Sequence, residues 1–304
     1  MSWETAFDKK IADYLPGLRC LRDEPMAKHT SFRIGGPARR MVFPESGEQI
    51  VILMGFLEEL GVRSLFLGNG TNLLVADKGL DAVVINTGEG LCRMERTGET
   101  ELTAEAGVSL ARLATFAWKE GLTGLEFAHG IPGTLGGGVV MNAGAYGGEL
   151  KDVLTEVTAL FPDGVKTLPV DELDLSYRHS LFSLHPEAVV LRAKLRLAPG
   201  ESETIKARMD ELMAKRKASQ PLEYPSAGST FKRPAGRFAG TMIDQCGLKG
   251  TSVGGAEVSK KHAGFIINTG NATCADVLAL IEKVRRTVYD AEGVLLVPEV
   301  RIVR

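Results

Sequence analysis

The sequence predicts an α+β protein. Four amphipathic stripes at helical spacing lie scattered among short β-type runs, one pair of those runs is joined by a tight-turn signal, and the two kinds of segment do not alternate as a parallel βαβ sheet requires.

In chain order, Ser46 with Gln49 forms a capping box ahead of an apolar run from Ile50 to Leu57, and Gly61 stops that helix. Arg63–Leu67 and Asp81–Ile85 are short buried-strand signals, and Thr100–Glu105 alternates. Ser109 opens a second helix from Leu110 to Glu120 with Leu110, Leu113, Ala114 and Ala117 on one face and Gly121 beyond its end. Val157–Phe161 pairs with Val165–Leu168 across Asp163 and Gly164, a hairpin-turn dipeptide. Val189–Leu197 is a sheet strand ending at Ala198, Pro199 and Gly200. From Thr204 a third helix carries Ile205, Met209, Leu212 and Met213 opposite Lys206, Asp210 and Arg216, and Thr273 caps a last helix whose stripe is Val277, Leu280, Ile281, Val284 and Val288. These stripes are core faces and carry no chemistry. A domain boundary is expected near Pro199–Ser202, where the strand region stops and the charged helix begins.

With 304 residues, 44% hydrophobic and 24% charged, the chain is long enough for two or three domains with their own cores. The 36 Lys and Arg against 38 Asp and Glu argue against nucleic acid as a partner. No apolar stretch reaches the length of a membrane span and the first ten residues lack the apolar core of a signal peptide, so a cytoplasmic protein is expected. Cys20, Cys92, Cys246 and Cys274 stand singly and the five histidines show no ligand spacing, which points to neither a disulfide framework nor a metal site.

Two glycine-rich loops stand out. Gly68, Asn69, Gly70, Thr71 and Asn72 begin like a dinucleotide fingerprint, but Leu73 replaces the third glycine and Leu73–Asp77 reads as strand, so the loop is neither a Rossmann turn nor a P-loop. Alone it reads as a plain tight turn, or as a nest of backbone N–H groups for a diphosphate, helped by Thr71 and the Asn69 and Asn72 amides. The second segment, Gly124–Gly148, is poor helix and poor strand because each glycine loses so much backbone entropy on folding. Within it Gly133, Thr134, Gly136 and Gly137 offer further N–H donors while Pro132 stiffens the run, with Asn142, Gly144, Ala145 and Tyr146 following along the same ligand. Together the loops suggest one large phosphate-bearing ligand clasped between them.

Other candidates are less specific. Arg178, between Tyr177 and His179, is an anion clamp or a solvated strand end. Ser229 lies in an irregular loop, Gln220–Pro234, without the GxSxG elbow of an acyl-transfer serine, though a proton-donating hydroxyl is open to it. Glu299, beside Pro298 in an apolar strand, is an acid or relay, or a strand carboxylate paired with Arg301 or Arg304.

Taken in order, Thr30–Gly36, Gly68–Val75, Ile131–Gly137 through Met141–Tyr146, Tyr177 with Arg178, Ser226–Lys232, Gly247–Gly250 and Pro298 with Glu299 resemble the UDP-N-acetylenolpyruvylglucosamine reductase (MurB) family across residues 20–304. The resemblance implies an FAD-binding fold of the vanillyl-alcohol-oxidase (PCMH) type over residues 1–198, in subdomains of about 1–86 and 87–198, followed by a C-terminal α+β substrate-binding domain over 199–304. It implies that NADPH reduces FAD, and that reduced flavin saturates the enolpyruvyl ether of a UDP-sugar to give UDP-N-acetylmuramate for peptidoglycan. The loop residues named above would hold the FAD diphosphate. Arg178 and Glu299 would stabilise an enolate-like intermediate that Ser229 protonates, and Tyr177, Lys217, Gly228 and Lys232 would contact substrate.

The short stretch from Ser180 to Glu187 leaves no room for the tyrosine-bearing loop of one subclass, so the chain is similar to the shorter, second subclass. Arg233 stands where many members have asparagine. Rival readings are a flavin-dependent oxidase of the same fold and a non-catalytic nucleotide-sugar-binding relative; the presence of Arg178, Ser229 and Glu299 disfavours the latter.

Overall fold

The computed structural model describes residues 1–304. The chain folds as two compact units, neither continuous in sequence: Met1–Arg22, Arg40–Asn69 and Ala82–Lys215 form one, and Asp23–Arg39, Gly70–Asp81 and Arg216–Arg304 the other. These units do not follow the linear division expected at 198/199. Two upstream segments join the C-terminal part because Phe32, Ile34 and Leu74 bury themselves against Met242, Ile243, Leu280 and Val300.

Seven α-helices form: α1 (Trp3–Tyr14), α2 (Gly47–Leu60), α3 (Leu110–Lys119), α4 (Leu135–Val140), α5 (Ser202–Ser219), α6 (Ala239–Gln245) and α7 (Cys274–Glu292). Their ends follow the caps in the sequence. Ser46 Oγ accepts from the Gln49 N–H at 3.3 Å, Ser109 Oγ from Arg112 at 3.3 Å and Thr273 Oγ1 from Asp276 at 3.1 Å. Gly61 at φ 64° and Gly293 at φ 67° supply left-handed stops. Sequence reading missed α1, whose buried face is only Phe7 and Ile11. It also misread Gly124–Gly148, where α4 runs through three consecutive glycines. That helix forms because contact replaces propensity: a Cβ at Gly136 would sit 2.8 Å from Ala106 Cβ, and one at Gly138 2.9 Å from Leu150 Cδ1.

The first unit is built on a five-stranded antiparallel sheet in the order Gly164–Pro169, Leu154–Phe161, Val189–Arg196, Glu101–Glu105, Met94–Arg96. The predicted hairpin is present, one residue earlier at its turn, since Phe161 pairs with Gly164 and leaves Pro162 and Asp163 as the loop. Alternate strand residues Leu102, Ala104, Val157, Ala193 and Leu195 pack with Leu113, Ala117, Leu135 and Val139 of α3 and α4. A second sheet runs Cys20–Pro25, Pro37–Val42, Leu80–Asn86, Ser64–Leu67, the last two strands parallel.

In the second unit α6 and α7 cover an antiparallel sheet of Ser252–Val253, Ala256–Val258 and Ile266–Asn268. Arg301–Val303 pairs in parallel with Leu73–Val75, placing Glu299 just upstream of one strand and Asn72 just upstream of the other. No helix is long and apolar enough to cross a membrane.

Candidate active site

In the first unit the two glycine-rich loops meet. A Cβ at Gly68 would lie 2.3 Å from Thr134 Oγ1, and the Asn69 Nδ2 donates to the Pro132 carbonyl at 2.8 Å. Gly88 packs on the first of these loops, its Cβ position 3.2 Å from the Gly68 carbonyl carbon and 3.3 Å from Asn69 Oδ1. Thr134 opposes Ser109 in an isolated bridge whose hydrogen bonds are made by Leu110 to Gly133 and by Leu135 to Val108, so the Thr134 N–H is turned away. The N–H groups of Asn69, Gly133 and Thr134 donate to no protein acceptor. Unspent donors at the N-terminus of a helix suit an anion.

Not every donor expected there is free. The Leu135 N–H donates to Val108 O, Gly136 to Ala106 O and Gly138 to Thr134 O, each at 2.8 Å, so Gly136 is a packing glycine. The Gly137 N–H is also used, donating to Thr134 Oγ1 at 3.4 Å, but this glycine is exposed, and a Cβ there would meet only Thr134 Oγ1 at 3.6 Å. Asn142, expected on the ligand, is fully buried instead. Its Nδ2 donates to Glu149 Oε2 at 2.8 Å and to Ser176 O at 3.1 Å, and its Oδ1 accepts from the Lys151 N–H at 3.0 Å. Both amide hydrogens are spent on protein, so this side chain is a lock between segments rather than a ligand contact. Gly144 and Ala145 pair with Glu149 and Gly148, and Tyr146 and Gly147 form the turn at φ 55° and 90°. Tyr146 stands 42% exposed at that tip.

Arg178 is held in an unusual conformation. Ser176 and His179 exchange hydrogen bonds at 3.2 and 3.1 Å, leaving Tyr177 and Arg178 as a two-residue turn with Arg178 at φ 54°. A turn of this kind ordinarily has glycine or asparagine at its positive-φ position. Arginine there carries strain of order 1 kcal/mol, which is the kind of strain that gathers at functional sites. Its guanidinium donates to Gly144 O at 3.3 Å and lies 5.1 Å from the centre of the half-exposed Tyr177 ring.

In the second unit the strand pairing draws Ser229 and Glu299 to neighbouring segments. The Glu299 N–H donates to Thr230 O at 2.8 Å, Phe231 bridges Pro298, and the Lys232 N–H donates to Val297 O at 2.8 Å. Ser229 Oγ has only a long bond, 3.3 Å, to Phe231 O. Gly228, at φ 76°, makes the bend before it. Asn72 Nδ2 donates to the Glu299 carbonyl at 3.2 Å. Gly70, at φ 61°, lets this loop pass a carbonyl, since a Cβ there would lie 2.0 Å from His29 O; the Gly70 and Thr71 N–H groups have no protein acceptor. Lys217 is exposed and its carbonyl accepts from Lys261 Nζ at 2.7 Å.

Sequence reading gave no role to the residues that hold this loop. Thr230 is 2% exposed, its N–H donates to Gly264 O at 2.8 Å, and its Oγ1 accepts from the Ile266 N–H at 3.0 Å. Ser31 Oγ donates to Ser226 O at 2.6 Å, and Asn268 Nδ2 to Phe32 O at 3.1 Å. The signal was present in Thr30–Gly36, whose hydroxyls and glycines crowd a short stretch without any helical or strand period.

Residues 220–303 match the family model described as UDP-N-acetylenolpyruvoylglucosamine reductase, C-terminal domain, and residues 38–168 match that of an FAD binding domain. The chain is 51% identical over 311 residues to UDP-N-acetylenolpyruvoylglucosamine reductase of Agathobacter rectalis, covering 98% of each, and 50% identical to that of Syntrophomonas wolfei, covering 97% of this chain and 98% of the other. The crystal structure of the Thermus caldophilus enzyme superimposes with a TM-score of 0.80 at 35% identity, over 94% of this chain and 99% of that one.

Proposed function

The chain belongs to the UDP-N-acetylenolpyruvoylglucosamine reductase family, and from that premise we propose that Arg178, Ser229 and Glu299 carry its chemistry while the glycine-rich loops hold its flavin. The protein is an oxidoreductase with the FAD-binding fold of the vanillyl-alcohol-oxidase type. It uses NADPH and reduces the enolpyruvyl ether of UDP-N-acetylglucosamine enolpyruvate to UDP-N-acetylmuramate in peptidoglycan synthesis. We assign flavin binding chiefly to residues 1–198 and the sugar nucleotide chiefly to 199–304. NADPH and UDP-sugars are intracellular reagents, which supports a cytoplasmic setting.

The residues present fit a flavin diphosphate. Gly133 and Thr134 supply unspent N–H groups just before α4, Asn69 supplies another from the loop that meets them, and Gly137 leaves open space beside them. Pro132 stiffens the approach and offers its carbonyl to Asn69. Tyr146, exposed on its turn, is assigned to the cofactor's rings, with Gly144 and Ala145 forming the strand beneath it. When bound, FAD supplies the hydride it has taken from NADPH.

The chain's own residues must then manage charge and a proton. Hydride added to the terminal enolpyruvyl carbon leaves negative charge on its neighbour and carboxylate. Arg178 opposes that charge with a guanidinium already held out by its strained turn. A carboxyl stabilises negative charge only by offering a proton, so Glu299 acts as a carboxylic acid or relay. A serine hydroxyl is a weak acid and protonates only a strongly basic carbon, which an enolate is. The Ser229 hydrogen, bonded to Phe231 O at a long 3.3 Å, is easily redirected to C2. A positioned donor of this kind contributes about 10² to 10⁴ in rate. Tyr177, Gly228, Lys217 and Lys232 are assigned to the substrate, the lysines to its carboxylate or diphosphate.

The observation that carries this reading is the pairing that sets Ser229 and Glu299 on adjoining segments through Thr230 and Pro298. Rapid-mixing measurements of Ser229→Ala test it. Flavin reduction by NADPH should stay near the wild-type rate while reoxidation by the enolpyruvyl sugar slows by orders of magnitude. Equal losses in both half-reactions would remove Ser229 from the proton-donor role.

A further inference from the structure

Each glycine-rich loop contains an asparagine, Asn72 in the first and Asn142 in the second, whose side chain grips the main chain of a segment bearing one of the charged residues above. We propose that Asn142 and Asn72 are positioning residues, Asn142 for Arg178 and Asn72 for Glu299. The proposal rests on the functional reading of those two residues.

Asn142 reaches Ser176 O at 3.1 Å, and Ser176 is the residue on which the Tyr177–Arg178 turn closes. Its other amide hydrogen goes to Glu149 and its Oδ1 to the Lys151 N–H. It therefore ties the Arg178 turn to the hairpin whose Gly144 carbonyl receives the guanidinium. Its own backbone sits at φ 41°, a conformation asparagine tolerates better than most residues. With 0% of its surface exposed, it can serve a ligand only through other residues.

Asn72 does the same with other atoms. Its Nδ2 holds the Glu299 carbonyl at 3.2 Å and its own carbonyl accepts the Arg301 N–H at 2.9 Å. The Glu299 peptide is thereby held on one side by Asn72 and on the other by Thr230, the neighbour of Ser229. A loop ordered by cofactor phosphates passes that order to the main chain behind a catalytic carboxyl. Misplacing a catalytic group by about 1 Å costs on the order of 10² in rate, so such a link matters even without touching substrate.

The test uses Asn72→Asp and Asn142→Asp, which keep side-chain shape but put an oxygen where the donor faced a carbonyl. FAD titration and NADPH reduction of Asn142→Asp should stay within about threefold of wild type, and in Asn72→Asp, whose loop also holds the flavin, reoxidation should fall at least tenfold further than flavin reduction. Reoxidation by the enolpyruvyl sugar should fall about 10²-fold. A tenfold or greater loss of FAD affinity with both half-reactions slowed equally would return the asparagines to cofactor binding and overturn the proposal. Because Asn142→Asp sets a carboxylate beside Glu149 and can fail to fold, amide exchange on the wild-type protein gives an independent reading. FAD should slow exchange in peptides spanning residues 176–180 and 299–301, and Asn72→Asp should lose the protection at 299–301. No FAD-dependent protection in either peptide overturns the proposal. Exchange needs FAD alone, so it judges positioning even if the wild-type enzyme were not reoxidised by the sugar, a result that would instead defeat the functional assignment.

Discussion

Gly68 lies against Thr134 so closely that a Cβ at position 68 would stand 2.3 Å from the threonine Oγ1. Thr134 is not free to retreat, since it is 2% exposed and its hydroxyl caps α4 through the Gly137 N–H at 3.4 Å. Gly68→Ala should therefore cost about 1–3 kcal/mol of stability by overpacking. FAD affinity should fall at least tenfold as the loops part. Thermal melting of the apoprotein and fluorescence titration with FAD check the two effects, and an alanine variant with unchanged melting and affinity would show that the loops need not touch.

Gly137→Ala separates space for the protein from space for the ligand. A Cβ there meets nothing closer than 3.6 Å, and alanine is the better helix former by about 1 kcal/mol. The apoprotein should melt at the same temperature or a few degrees higher, whereas FAD should bind more weakly because the methyl group occupies the cradle. Unimpaired FAD binding would place the diphosphate elsewhere.

How much of this was legible in the sequence depends on the range of the interactions. Caps are local, so Ser46, Ser109 and Thr273 announced α2, α3 and α7 within a residue of their true starts. The hairpin at Phe161 was equally legible, because its turn lies in four consecutive residues. The glycines of α4 misled, since what makes them helical is the approach of Ala106 and Leu150, which no local signal reports. The gathering of Gly70–Asp81 with the C-terminal part was likewise hidden, because it depends on Leu73–Val75 pairing with Arg301–Val303 more than two hundred positions away, and that of Asp23–Arg39 because it depends on Phe32 and Ile34 burying against Met242 and Leu280. The same limit applied to Asn142: residue type marked it as a polar group beside a ligand loop, but the choice between ligand and Ser176 is made by tertiary contact.

The strained turn at Arg178 sets stability against activity. Arg178→Gly removes a non-glycine residue from φ 54° and should leave stability unchanged or raise it by up to about 1 kcal/mol, offset in part by glycine's greater freedom in the unfolded chain. Reoxidation of the flavin by the enolpyruvyl sugar should drop by 10² or more for loss of a charged stabilising group, by analogy with removal of an oxyanion-hole donor, which costs about 10² to 10³. Denaturant melts and single-turnover reoxidation rates decide it; a large loss of stability with reoxidation intact would make the arginine structural.

His262 supplies the pH dependence. Its ring packs edge-on to Phe265 at 5.0 Å between centroids and accepts the Gly264 N–H on Nδ1 at 3.1 Å. Burial, with the Lys249 charge adding to it, holds its pKa below the ordinary 6.5. The native state therefore resists a proton that the unfolded chain accepts. The stability contributed by neutral His262 is fully present above about pH 6.5 and is lost as pH falls through the depressed native value. The effect reaches the serine loop, because the Gly264 carbonyl receives the Thr230 N–H at 2.8 Å, one residue from Ser229. Melting temperature measured at pH 7.5 and 5.5 should fall more in the wild type than in His262→Gln, which has no proton to gain. Identical falls in the two proteins would mean that His262 titrates alike in the folded and unfolded chain.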